Sequence, residues 1–345
     1  MLRCFAVALL LGTAGAATSV WPAPRTMELA SPAGAVPLSR ARLLVVDAAS
    51  PKSAVLSAAV ARYNRTIAAL CRPMAATLSA PSAAAVTVVV TIAAAEDTAP
   101  LAQHMNESHS LTATASGVKI TAPTVWGALR GLETLAQLVV PAGCAVPLLE
   151  IRDAPLYTHR GLLIDSSRHF LPVPDVLELL DSMQMAKLSV LHWHLTDAES
   201  FPVECKSFPK LHRLGSYKPP LCADPDHMEA PGGGDLPMKG GKNLTRCWYS
   251  QEELRLVVKA AKGRGIRVIP EFDTPAHSAS WGRAYPSIRL LCDEGCPVTD
   301  KNCMSLLDPS SPLTWKVLNG FFGEMADIFE DERIHLGGDE AHWDW

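Results

Sequence analysis

At 345 residues the chain has room for two domains, or for one large barrel with an additional module. Its 31 basic and 35 acidic side chains give a net charge of −4 with no block of like charge. That balance excludes the basic face of a nucleic-acid binder and gives no reason for a membrane-surface role.

Residues 1–16 carry the pattern of a secretory signal peptide: Arg3, an apolar run over residues 5–11, and Ala14-Gly15-Ala16 as a small-residue cleavage site. The run is too short to cross a bilayer, and no later stretch reaches the ~18 uninterrupted apolar residues of a spanning helix. Cleavage would remove Cys4 from a total of nine cysteines. The even remainder, in an exported chain, favours disulfides over thiol chemistry. Glycosylation sequons at Asn64, Asn106 and Asn243 fit the same secretory route.

Residues 17–152 alternate strand and helix. Residues 43–46 are a brief β-type run, and 55–70 are Ala-rich with helical spacing. Residues 86–92 are nearly all β-branched and read as a strand buried on both faces. Residues 111–114 and 118–121 resemble a hairpin around Ser116-Gly117. Thr124 can cap a helix in which Val125, Leu129, Leu132, Leu135, Ala136 and Leu138 keep close to a 3.6-residue period. The expectation is a small N-terminal α/β domain of one sheet and two helices. It has no cluster of catalytic-type residues and reads as structural.

A hinge is expected over residues 141–147, and Ile151-Arg152-Asp153 begins a second unit, 153–345. Strands are expected at 161–165, 188–195 and 266–272, with a fourth in the tail around Ile334 and Leu336. Between them fall three helical patterns. One spans 174–186 with Val176, Leu179, Leu180 and Met183 inward. One opens on the capping box Ser250-Gln251-Glu252-Glu253 and buries Leu254, Val257, Val258 and Ala261. One follows Asp308-Pro309-Ser310 with Leu318, Phe321, Phe322 and Met325 inward. Successive strand–helix steps with polar residues gathered at strand C-termini suggest a parallel β/α barrel. A doubly wound open sheet is the competing fold, but no Gly-rich nucleotide loop follows the first strand. The Pro/Gly-rich insertion between Gly215 and Tyr249 is expected to be closed by a Cys222–Cys247 bridge. Cys292, Cys296 and Cys303 are close enough in sequence to share one bridge, Cys205 is a candidate free thiol, and the remaining pairing stays open.

The strand ends carry the chemistry. The first is followed by Asp165-Ser166-Ser167-Arg168-His169, and the second ends His192-Trp193-His194-Leu195-Thr196-Asp197. The third runs into Glu271-Phe272-Asp273-Thr274-Pro275-Ala276-His277, and the tail into Gly337-Gly338-Asp339-Glu340. In a β/α barrel these ends converge on one mouth, so an Arg, an Asp, a His and two carboxylates would meet as an acid/base site. Neighbouring residues of a regular strand face opposite ways, and a bend at the glycine pair is what would let Asp339 and Glu340 serve one pocket.

These runs, with Thr124–Thr134 upstream, resemble the family 20 glycoside hydrolases, the β-N-acetylhexosaminidases, over residues from about 124 to 340. The resemblance implies an N-terminal α/β domain followed by a (β/α)8 TIM-type barrel, of which about the first four β/α units are present here. It implies hydrolysis of terminal N-acetylhexosamine from β-glycosides without a cofactor or metal, with carbohydrate as the partner. The location would be lysosomal or extracellular, and a homodimer is the open expectation for the full-length protein. By this resemblance Glu340 would be the general acid, then the base for water. Asp339 would orient the substrate's 2-acetamido group, whose own oxygen attacks C1. His277 and Asp197 would form a relay to Glu340, and Arg168 would hydrogen-bond sugar hydroxyls. A general acid must hold its proton near working pH, so burial in a closed pocket and the adjacent Asp339 would have to raise Glu340.

The family continues after the Asp-Glu pair with further strand–helix steps, which leads us to expect a fragment or truncated gene model that aggregates or binds a partner when expressed alone. A catalytically incompetent sugar-binding relative is one alternative. A metal-dependent barrel hydrolase using His192, His194 and His277 is another, although a structural zinc site wants four ligands and a catalytic one three. Trp193, Trp343 and Trp345 are expected to pack, not to form sugar platforms.

Overall fold

The computed structural model describes residues 20–30, 34–38, 44–47, 52–71, 88–93, 100–140, 144–216, 236–237, 243–244, 247–290 and 306–341. The expected leader, Cys222, Cys292, Cys296, Cys303, Trp343 and Trp345 lie outside them. The chain divides into two compact units. One holds the residues up to Pro100 with Met105–Leu156, and the other holds Leu101–His104 with the residues from Tyr157 onward. Among the described residues no helix is long and apolar enough to cross a membrane.

The first unit contains β1 (Thr26–Leu29), β2 (Ala35–Pro37), β3 (Leu44–Val46), α1 (Ala54–Leu70), β4 (Val88–Ile92), β5 (His109–Thr114), β6 (Gly117–Ala122), α2 (Val125–Leu138), β7 (Ala145–Pro147) and β8 (Leu149–Asp153). Six strands form one mixed sheet in the order β1-β8-β5-β6-β4-β3, and β2 pairs with β7. The β5–β6 hairpin is antiparallel around Ser116-Gly117. Ile151-Arg152-Asp153, read from the sequence as the opening of the second unit, instead lies in β8 between β1 and β5. Part of the expected hinge is likewise strand, β7. β4 was expected to be buried on both faces, but only Val88, Val90 and Ile92 are fully buried, while Val89 and Thr91 are half-covered.

Local chemistry explains both helices. The Ser53 hydroxyl accepts the Leu56 N–H at the start of α1, and the Thr124 hydroxyl accepts the Gly127 N–H at the start of α2. α2 is buried almost throughout, so its charges are paired: Arg130 meets Glu107 at 2.7 Å, and Glu133 accepts the Tyr63 hydroxyl at 2.8 Å. A Cβ on Gly127 would stand 2.1 Å from the Ser108 carbonyl oxygen, which shows how tightly α2 sits on its neighbour. Cys71 and Cys144, unpaired in the sequence reading, form a disulfide.

The second unit contains β9 (Gly161–Asp165), α3 (Val173–Met185), β10 (Val190–Thr196), α4 (Lys210–Gly215), β11 (Leu236–Pro237), β12 (Asn243–Leu244), α5 (Gln251–Lys262), β13 (Arg267–Phe272), α6 (Ala279–Ala284) and α7 (Pro312–Ala326). β9, β10 and β13 form a parallel sheet in that spatial order, and β11 pairs with β12. The capping box at Ser250 and Glu253 is present in full. Trp193, Phe201, Tyr249, Phe272, Trp281 and Phe321 are among the fully buried side chains of the core. Trp193 donates its indole N–H to Ser166 at 2.8 Å, in keeping with packing.

The tail is not a fourth regular strand. His335 makes a single parallel bridge to Glu271, with backbone bonds from Phe272 N to His335 O, from Thr274 N to Leu336 O and from His335 N to Pro270 O. Immediately afterwards Gly337 and Gly338 turn to φ of +68° and +95°, so the extended backbone ends before a ladder can build. Strands and tail therefore succeed one another across the sheet in chain order, without the reversal that marks a doubly wound sheet.

Candidate active site

The strand exits of the second unit meet around one buried carboxylate. At the end of β9, Asp165 Oδ1 accepts the backbone N–H groups of Ser167 and Arg168, folding the loop back on itself. Arg168 then reaches three carboxylates: Asp165 at 2.8 Å, Asp197 at 2.6 Å and Glu199 at 3.0 Å. Burial works against its charge, but the hydrogen bond to Asp165 and the charge of Asp197 outweigh it and hold the guanidinium above its ordinary pKa.

A β-bulge delivers Asp197. His194 pairs with Glu271 and Thr196 with Phe272, which leaves Leu195 as the extra residue. Residues three apart on a regular strand face opposite ways. Here the bulge brings His194 and Asp197 to the same side, with Nε2 and Oδ2 2.8 Å apart. Asp197 is fully buried. Its Oδ1 accepts the Ala198 N–H at 2.6 Å and faces His277 Nδ1 at 3.1 Å. Burial alone would raise Asp197, yet the bond from His194, the Ala198 N–H and the charges of Arg168 and His277 lower it.

His277 follows β13 in a loop held by the Ser278 hydroxyl, which donates to Ala276 O at 2.9 Å. Its backbone is left-handed, φ +52°, as is that of Glu340 at +53°. The glycine bend aims both tail carboxylates at one edge of this imidazole: His277 Nε2 is 3.1 Å from Glu340 Oε2 and 3.9 Å from Asp339 Oδ2. The nearer contact is within ion-pair range but out of line for a hydrogen bond. Burial pulls the His277 pKa down, and Asp197, foremost among the nearby carboxylates, raises it more. The closed pocket expected around Glu340 is not formed by the described residues. The Asp339 and Glu340 side chains are 69% and 66% exposed, with His277 of the loop after β13 beside them.

Two residues outside the expected set complete the arrangement. Asp273 is 2% exposed, and its Oδ1 accepts the Gly338 N–H at 3.2 Å, pinning the bend. Burial pushes it up to about 6, aided by Asp339 and Asp197 and opposed by the Gly338 N–H and His277. Its signal was its place at a strand end in Phe-Asp-Thr-Pro. Glu271 gathers His192 at 2.6 Å, His194 at 3.0 Å and His335 at 3.1 Å. The sets of groups close enough to share a metal ion are His192–Glu271–His335, His194–Asp197–Asp273 and Asp273–His277–Asp339. None joins His192, His194 and His277, so the trio imagined for a metal-dependent hydrolase is not assembled among the described residues.

Of the remaining expected sites, Cys247 is disulfide-bonded, Cys222 lies outside the described residues, and Cys205 is free and buried. Asn106 is exposed, Asn64 lies half-buried on α1, and Asn243 lies in β12.

With this geometry in hand, comparison with known proteins is decisive for the family. The profile "Glycosyl hydrolase family 20, catalytic domain" matches residues 157–345, and "beta-acetyl hexosaminidase like" matches residues 20–138. The chain belongs to glycosyl hydrolase family 20. Within family 20, Beta-hexosaminidase subunit beta of Mus musculus is 38% identical over 241 residues, covering 69% of this chain and 40% of its own length. Beta-hexosaminidase subunit alpha of Bos taurus is 37% identical over 238 residues, covering 68% and 40%. The family-20 chain therefore spans about 40% of the length of these relatives. A chitobiase from Flavobacterium johnsoniae superposes with a TM-score of 0.70 at 28% identity, covering 92% of this chain and 44% of that one. Streptomyces plicatus N-acetyl-β-hexosaminidase, solved with Thio-NAglucal, gives 0.67 at 25% identity, covering 94% and 59%.

Proposed function

We propose that the protein carrying this chain removes terminal non-reducing N-acetylhexosamine from β-glycosides, with retention and with the substrate's own acetamido oxygen as nucleophile. The observation that carries this reading is His277, set between buried Asp197 and the paired tail carboxylates. In it, Glu340 protonates the leaving glycosidic oxygen and then deprotonates water. Asp339 orients the acetamide and stabilises the positive charge that grows on it as its oxygen attacks C1. His277, backed by anionic Asp197, sets the proton state of Glu340. Arg168 hydrogen-bonds sugar hydroxyls with the N–H groups left over from its carboxylates.

The same reading takes β9, β10, β13 and the tail as the first four β/α units of a (β/α)8 barrel, supported by their order in space. The leader pattern, the sequons at Asn64, Asn106 and Asn243 and the expected Cys222–Cys247 bridge support passage through the secretory pathway to a lysosomal or extracellular location. Pairing of two copies belongs to the reading and is checked by mass in solution.

The test is hydrolysis of 4-nitrophenyl N-acetyl-β-glucosaminide and of the corresponding galactosaminide, beside the plain β-glucoside that lacks the acetamide. The expected outcome is turnover of the N-acetylated substrates only, a β-configured first product by NMR, and a loss of about 10²–10⁴-fold in kcat for Glu340→Gln. Equal turnover of the plain glucoside would refute the substrate-assisted step. Sugar binding without turnover would replace the hydrolase with a lectin-like relative.

A further inference from the structure

The relay does not end at Asp197. Behind it His194, 7% exposed, stands between two carboxylates: Nε2 is 2.8 Å from Asp197 Oδ2 and Nδ1 is 3.0 Å from Glu271 Oε2. A carboxylate only accepts, so a ring hydrogen-bonded to Asp197 at Nε2 and within ion-pair range of Glu271 at Nδ1 serves both only when each nitrogen carries a proton. Each acceptor is itself anchored. Glu271 also holds His192 and His335, the latter in the same tail that carries Glu340. Asp197 also holds Arg168, which in turn reaches Asp165 and Glu199. Asp273 faces His194 and Asp197 from the β13 exit, and His277 faces Asp197 from the loop beyond it. The bulge at Leu195 is what places ring and carboxylate on one side of β10.

We propose that His194 is a positioning residue of the acid site, a doubly donating bridge that fixes Asp197, and through it the ring of His277, against the anchor Glu271. Its kinetic consequence rests on the hydrolase reading given above. A satisfied histidine of the core would be replaceable by any residue of like size. A bridge is not, because without the Nε2 donor Asp197 keeps Arg168 and the Ala198 N–H but loses the contact that ties it, and the ring of His277 with it, to Glu271. The neighbouring carboxylates act in the same direction: burial disfavours the charged ring, and Asp197 and Glu271 overcome that and raise it to about 10.

Side-chain amides separate the two nitrogens, since the Gln amide falls near Nε2 and the Asn amide near Nδ1. His194→Gln keeps a donor for Asp197 and is expected to stay within about tenfold of the parent kcat. His194→Asn and His194→Phe are expected to lose about 10²-fold, with KM within about twofold, as for a misplaced catalytic group. Unfolding midpoints are measured alongside. If His194→Phe does not fold, the Gln and Asn pair still decides. Equal kcat across the variants, or a change confined to KM, overturns the proposal. So does an ¹⁵N-imidazole spectrum with one bare nitrogen on His194 at pH 7. Absence of turnover in the parent protein counts against the hydrolase reading alone, and the bridge is then judged on that spectrum.

Discussion

Gly337 is the residue on which the site geometry turns. Its φ is +68°, and a Cβ there would stand 1.8 Å from Asp273 Oδ1. Gly337→Ala therefore combines a left-handed backbone with displacement of the carboxylate that accepts the Gly338 N–H. The expected loss is about 1–3 kcal/mol, with a fall in kcat as Glu340 leaves His277. An unchanged thermal midpoint and unchanged kcat would contradict it. At this scale the sequence was most informative where a motif itself shapes the backbone, as the glycine pair does ahead of Asp339 and Glu340. It was silent where a role depends on burial. Asp273 is a strand-end aspartate like Asp165 until the fold encloses it. Glu199 meets Arg168 only because two loops, far apart in sequence, return to one place.

Elements are tied together here by titratable groups, which makes their coupling dependent on pH. His194 on β10 bonds Glu271 on β13 and is raised to about 10. An imidazole raised above its ordinary value of about 6.5 contributes stability in full below that value, and the contribution drains as pH climbs through 10. Asp197 and Glu271 are lowered, so their contribution is present above about pH 4 and is lost as pH falls further. Urea unfolding across pH should show a plateau between about pH 4 and 6.5 and a decline from there through pH 10. In His194→Phe the alkaline decline should flatten, and an identical decline in the variant would contradict the assignment. The helices and regular strands of both units were legible because periodicity and caps are local signals. The tail was read as a strand from Ile334 and Leu336, but a strand also needs a partner ladder, and one rung to Glu271 does not make one. β8 was misplaced for the converse reason: its short run gives little pattern, and its two partners make it a strand.

For the whole molecule the Cys71–Cys144 bridge matters most to the first unit. It joins the end of α1 to the turn before β7 across a separation of 73 residues. Pairing over such a span has no local signature, so it was not legible in advance. Replacing both cysteines by serine should destabilise this unit by about 2–5 kcal/mol. Calorimetry of the oxidised protein beside the double variant checks this, and coincident curves would remove the bridge from the account. Arg168 has a consequence on the same scale. Its charge is already neutralised by Asp165, Asp197 and Glu199, while Asp273, Asp339 and Glu340 stand close by. Among the described strand-exit residues, carboxylates thus outnumber the arginine they surround, so its guanidinium is held in place by them and not left as a free cation.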